Sequence, residues 1–244
     1  MQPQERNVTV EIVRGAFAAL WQPLSWAARL PRAAAVLLRR TRSPEGRSAS
    51  AAHAKFDTAR WSLELLKHLE WRRFEELCVA YFEALGFSTQ ISHSRPDGAV
   101  DVGLCAAGAE RTAIVVHCQA WNAFRVGAKS VRELRAAMTT AGTAKGMLVT
   151  SSRFTQDALA LAAKENIELI DGAAFLAKLA ALAPEKRLGL LKFATQGDFL
   201  TPTCPRCSIK MASRSSTHEG RRFWGCRNYP RCKQTLYSTA NAPA

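Results

Sequence analysis

Apolar residues recur at helical spacing from Trp61 onward. Leu66, Leu69, Phe74, Leu77, Cys78, Tyr81, Phe82 and Leu85 fall on one side of a helix, so the stretch predicts one long amphipathic element. Gly86 follows as a left-handed cap. Then the period changes. Phe87–Ser92, Val100–Cys105 and Thr112–Gln119 are short runs rich in β-formers, with the turn-rich Ser94–Gly98 stretch between the first two. A second helix is predicted over Val126–Thr140. Gly146–Thr150 and Ile167–Ile170 are apolar enough for buried strands, the latter closed by Asp171-Gly172. Helices over Thr155–Lys164, with Thr155 as N-cap, and Ala173–Leu182, stopped by Pro184, complete the pattern. Strands followed by strand–helix alternation predict an α/β fold with a mixed sheet between helices.

The N-terminus reads differently. Residues 15–38 are apolar in patches, but Gln22, Pro23, Arg29, Pro31 and Arg32 interrupt them. A membrane-spanning helix needs roughly 20 mostly uncharged residues, so no transmembrane segment is expected. An amphipathic helix on a partner or membrane surface and a loosely ordered tail are the two readings of this stretch. Residues 41–56 are small, polar and basic, as in a linker. The chain thus divides into a basic N-terminal segment and linker (1–60), an α/β body (61–183), a connector (184–200) and a cysteine-rich module (201–240).

Charge sharpens this division. The 244 residues include 34 basic and 20 acidic side chains, a net charge of +14. Residues 61–183 hold 13 of each sign, whereas 1–60 hold 10 basic and 4 acidic, and 184–244 hold 11 and 3. A neutral body with basic ends points to a polyanionic partner, nucleic acid first, rather than a small-molecule substrate. Three of the seven cysteines, Cys78, Cys105 and Cys118, stand alone in apolar segments and read as buried thiols. The start MQPQERNVTVE lacks the basic-then-apolar order of a signal peptide. A reducing, cytoplasmic location is expected.

The other four cysteines form C-x2-C and C-x5-C pairs: Cys204 and Cys207, then Cys226 and Cys232, with eighteen residues between the pairs. That spacing suits a closed tetrahedral Zn²⁺ site, with two disulfides as the competing reading. His218 could substitute as a ligand or be a surface loop residue. Lys210, Arg214, Arg221, Arg222, Arg227, Arg231 and Lys233 surround Phe223, Trp224 and Tyr229. Basic groups interleaved with aromatics can hold phosphates and stack on bases, while at least one of Phe223 and Trp224 is expected to pack the small core. This segment resembles the zinc ribbons of bacterial type I DNA topoisomerases. The resemblance lies in CPRC, Met211, Arg214, Phe223–Cys226, Asn228–Pro230 and Cys232, and it implies a DNA partner through Lys210, Arg214, Arg222, Phe223, Trp224, Arg227, Tyr229 and Arg231.

In the body, Asp97 and Asp101 flank a turn, and the strand ending IVVHCQ places His117 and Gln119 on one face. Antiparallel pairing could bring Asp101 beside them, with Glu75 or Glu76 as a helix carboxylate, to frame a hard cation. Plain turn chemistry at Asp97-Gly98 is the alternative. Residues 61–183 resemble the Mrr-like (type IV) restriction endonucleases of the PD-(D/E)XK nuclease fold. The matching motifs include Trp71-x-x-Phe74-Glu75, Gly86-Phe87, Asp97-Gly98-x-Val100-Asp101, Ile114–Val116, Val131–Leu134, Leu148–Ser151 and Leu169–Gly172. The resemblance implies a metal-dependent DNA endonuclease with Mg²⁺ or Mn²⁺ on Asp101 and Glu75 in support. The family's Gln-x-Lys reads His117-Cys118-Gln119, and a glutamine brings no cationic head. Imidazole also prefers Zn²⁺, Ni²⁺ or Mn²⁺ to Mg²⁺. Three readings follow: a non-cleaving DNA binder, a nuclease with a relocated lysine (Lys129 or Lys145), and a weak or differently metallated nuclease. Two-strand cleavage would favour a homodimer. A basic membrane-surface protein is a further alternative.

Overall fold

A computed structural model describes residues 57–92, 101–106, 109, 111–120, 125–216 and 222–237. The expectations for the N-terminal tail, Asp97–Val100, His218 and Arg221 lie outside these residues.

The predicted first helix is two. Helix α1 (Leu63–His68) starts at Ser62, whose Oγ accepts from the Leu65 N–H at 3.0 Å. Helix α2 (Trp71–Ala84) starts at Glu70, whose carboxylate accepts from the Arg72 N–H at 3.2 Å. The cap requires Glu70 to be extended (φ −61°, ψ 155°), and that interrupts the run. Periodicity misses the break because both helices bury the same side: Leu65, Leu66, Leu69, Phe74 and Leu77 are all fully buried. Gly86 takes φ 93° just past α2, as its position predicts.

Strands β1 (Ser88–Ser92), β2 (Asp101–Cys105), β3 (Ile114–Gln119), β4 (Gly146–Thr150) and β5 (Ile167–Ile170) form one sheet in sequence order. The first three pair antiparallel; β3, β4 and β5 pair parallel. The parallel steps are crossovers through α3 (Ala128–Ala141) and α4 (Gln156–Lys164). Thr155 caps α4 through the Ala158 N–H. Asp171 follows the last residue of β5, where the strand is expected to close, and also caps α5 (Gly172–Ala180) through the Ala174 N–H at 2.8 Å.

Two apolar layers flank the sheet. Val102, Leu104, Val116, Cys118 and Val149 face α1, α2 and α5, where Phe175 meets Phe74 and Tyr81 edge-on. Val115 and Leu148 face Val131 and Leu134 of α3 and Ala158 of α4. The connector is not a plain linker. Pro184–Thr195 is helix α6, and its Leu190, Leu191 and Ala194 belong to the first layer. Its apolar residues point all round, with Leu188 about half exposed, so no helical face is visible in the sequence.

The C-terminal module is a three-stranded antiparallel sheet of β6 (Ala212–Ser215), β7 (Arg222–Gly225) and β8 (Thr235–Tyr237). Its small core is Met211, Trp224 and the cysteines. A polar joint ties it to α2. Glu70 Oε1 accepts from Thr203 Oγ1 (2.9 Å) and Lys210 Nζ (3.1 Å), and its Oε2 accepts from the Thr203 N–H (3.1 Å). Trp71 Nε1–H donates to the Thr203 carbonyl at 2.7 Å. Among the described residues no helix is long and apolar enough to cross a membrane.

Candidate functional site

Antiparallel register sets Asp101 directly opposite His117. Residues so paired share a face of the sheet, and here the imidazole Nδ1 lies 2.8 Å from Asp101 Oδ1. A carboxylate only accepts, so Nδ1 carries the proton and donates. His117 is fully buried, while the Asp101 side chain is 15% exposed and opens to the rim. Two residues on, Gln119 lies on the same face. Its Oε1 accepts from Ser130 Oγ at 2.9 Å, and both residues are buried. Ser130 stands in the first turn of α3, so the helix and the strand end hold each other. No sequence motif marks Ser130; only the α3 crossover brings it over β3.

Glu75 is buried on α2, in the layer across the sheet. It adds to the effect of burial and of the Cys118 thiol in pushing the Cys78 thiol well up. Glu76 instead meets Arg72 and Arg73 at the surface.

Neither candidate lysine replaces the missing one. Lys145 precedes β4 at the end opposite Gln119, which pairs with Thr150. That is about 16 Å away along the strand at ~3.3 Å per residue. Alternation also points Lys145 away from the face of Gly146 and Leu148 that lies beside His117. Lys129 lies next to Ser130 in sequence, but its side chain is 83% exposed and reaches Glu133 at 3.8 Å.

In the C-terminal module the four cysteine sulfurs lie within 4.8 Å of one another. Cys204 and Cys232 sulfurs are 3.8 Å apart. A tetrahedron with metal–sulfur bonds of about 2.3 Å has edges of about 3.8 Å, so the cluster fits one Zn²⁺. The separation is far beyond a disulfide bond of about 2.0 Å. Local backbone shapes the two knuckles: Ser208 N–H donates to the Cys204 carbonyl at 2.8 Å, and Cys232 N–H to that of Asn228 at 3.0 Å. The Asn228 N–H points at Cys226 Sγ (3.4 Å), and the Gln234 N–H holds the Cys232 thiol down at about 7. Burial pushes the Cys226 thiol up to about 12, so four thiolates require a central cation.

A concavity of about 420 Å³ opens on this module between Arg214, Phe223, Gly225, Tyr229, Lys233 and Gln234. Arg214 sits opposite Phe223, and its aliphatic stem crosses Gly225, where a Cβ would come within 2.7 Å of Arg214 Cδ. Tyr229 is 63% exposed, and Arg222, Arg227 and Arg231 are exposed on the same module. Trp224 is buried and packs the core. Lys210 is not on this surface: its ammonium is held by Glu70 and by the Thr201 carbonyl at 2.9 Å. A lysine between a cysteine knuckle and a strand reads as a surface charge until its buried partner, Glu70, is located.

Residues 66–179 match the family model described as a restriction endonuclease, of the Mrr catalytic type. Over this span the body of the chain is similar to the Mrr-type restriction endonucleases. Residues 201–241 match the model described as a topoisomerase DNA binding C4 zinc finger. No curated protein matches as a relative. Two solved structures resemble parts of this chain. MspJI restriction endonuclease in complex with a 27-mer oligonucleotide is 19% identical, with TM-score 0.37, covering 55% of this chain and 34% of its own. The DNA modification-dependent restriction endonuclease AspBHI is 17% identical, with TM-score 0.40, covering 64% and 44% respectively. The chain therefore spans less than half the length of either.

Proposed function

We propose that this Mrr-like chain binds DNA through its zinc ribbon, and that its nuclease-fold domain holds DNA without the family's lysine-assisted cleavage. The observation that carries the binding half is the concavity framed by Arg214, Phe223, Tyr229 and Lys233. Exposed guanidinium and ammonium groups meet phosphates, and an exposed phenol ring offers a stacking face for a base. Zn²⁺ would be held by Cys204, Cys207, Cys226 and Cys232 and would supply folding free energy to a module with little core.

The chemistry at Asp101 supports the second half. In the resemblance, this carboxylate would hold a divalent cation, and a lysine two residues past the next-strand ligand would activate water. Here one Asp101 oxygen is engaged by the buried His117, and the lysine position is Gln119, tied to Ser130. A neutral amide neither offers positive charge to a phosphate nor takes a proton from water. A second reading keeps some activity. A cation that displaced the Nδ1 proton would meet an oxygen ligand from Asp101 and a nitrogen ligand from His117, a pair that suits Mn²⁺ better than Mg²⁺.

The test is plasmid cleavage, on unmodified and methylated DNA, with Mg²⁺ and separately with Mn²⁺. The expected result is binding without cutting in either metal. Cutting that disappears in Asp101→Ala overturns the non-cleaving reading. Cutting gained by the double change His117→Gln with Gln119→Lys supports it. DNA affinity left unchanged by deletion of residues 200–244 overturns the ribbon's role.

A further inference from the structure

We infer that Arg125 and Arg153 form a phosphate-holding pair on the nuclease-fold domain, making a second DNA-backbone contact apart from the ribbon. The inference rests on the DNA-binding reading above. Just past the ends of β3 and β4 the chain makes an isolated parallel bridge, Val126 to Phe154. Val126 N–H donates to the Arg153 carbonyl at 2.8 Å, and Thr155 N–H to the Val126 carbonyl at 3.0 Å. Val126 and Phe154 are buried. Extended backbone alternates its side chains, so the preceding residues on both segments, Arg125 and Arg153, turn outward side by side, and both are exposed. Among the described residues neither makes an ion pair.

The surroundings add charge of the same sign. Lys129 and Arg132 on the first turns of α3 are exposed, and α3 has no acidic residue in its first turn. Two carboxylates are close in sequence: Glu133, paired loosely with Lys129 at 3.8 Å, and Asp157 in the first turn of α4. Residues 61–183 carry as many acidic as basic side chains, so this clustering is not a by-product of a basic body. Like charges packed side by side repel, and a bridging anion removes that cost. Guanidinium forks match phosphate oxygens two at a time. The rim lies at the strand ends beside Gln119 and its partner Ser130. Positive charge that Gln119 does not supply within the site is thus available at its edge. It can hold a phosphate there, but arginine, always protonated, cannot take up a proton from water.

The test uses the full zinc-loaded chain, a fluorescein-labelled duplex, and anisotropy titrations across a salt series. Arg125→Ala with Arg153→Ala is expected to lower affinity about tenfold or more and to reduce the slope of log K against log salt by about two. Lys164→Ala with Lys192→Ala, exposed lysines elsewhere on the chain, should leave both unchanged. Arg214→Ala with Tyr229→Ala reports on the ribbon alone. If the arginine pair variant keeps wild-type affinity and slope while the ribbon variant loses affinity, this inference falls and the DNA-binding reading stands. An equal loss in the lysine control also overturns it, since the effect would then be bulk charge. A wild-type chain with no salt-dependent binding overturns both.

Discussion

Replacing Glu70 with alanine should be among the costliest single changes outside the two hydrophobic layers. Glu70's side chain is 3% exposed and accepts from Thr203 N–H, Thr203 Oγ1, Lys210 Nζ and the Arg72 N–H. Truncation leaves a buried N–H and hydroxyl at Thr203 and a cation at Lys210 with no carboxylate. Breaking one side of a buried pair costs about 3–5 kcal/mol. Lys210 is about a third exposed and keeps the Thr201 carbonyl, so the lower end applies. Loss of the α2 cap adds about 1 kcal/mol, for a total of about 3–4 kcal/mol. Lys210→Met should cost only about 1–2 kcal/mol, because Glu70 keeps three donors. In the Glu70→Ala background the same change should cost little, a coupling of about 1–2 kcal/mol. The assay is guanidinium unfolding with zinc in excess, followed by tryptophan fluorescence, since Trp71 donates to Thr203 within the joint. A Glu70→Ala cost under about 0.5 kcal/mol, or strict additivity of the two changes, refutes the joint as described.

Three other outcomes are expected. Gly172→Ala should destabilise by about 1–3 kcal/mol in a thermal or denaturant melt, because the new Cβ would come within 2.5 Å of the Ser151 carbonyl oxygen, a backbone atom with little room to move. Asp101→Ala should cost about 1–3 kcal/mol in the same melts, since it removes the acceptor facing a fully buried imidazole N–H. The chain should bind one zinc, measured by metal analysis, and hold it more weakly as pH falls. The thiolate is the ligand form, and burial already pushes Cys226 up to about 12, so acid favours the protonated, metal-free module. Zinc retention unchanged from neutral pH down to pH 5 would contradict a four-thiolate site.

Much of the architecture follows from local pattern. Gly146–Thr150 and Ile167–Ile170 are strands because short apolar runs bounded by polar turns have few other ways to be buried. Thr155 caps its helix, and Gly86 takes the left-handed backbone its position predicts, because those preferences act within a few residues. The four cysteines could be grouped from spacing alone, since two close pairs have a short reach. The remaining features depend on partners distant in sequence. Whether Asp101 meets His117 is set by β2–β3 register, and a slip of one residue would turn His117 to the other face. Gln119 is tied to Ser130 only because α3 crosses back over the sheet. The break before α2 and the inward turn of Lys210 share one cause: Glu70, whose partners lie more than 130 residues away. Helix α6 buries Leu190 and Leu191 where neighbouring helices leave space, although its own sequence marks no face. Local preference thus determined the elements and the metal ligands. Long-range packing decided which polar groups face one another at Asp101, His117 and Gln119.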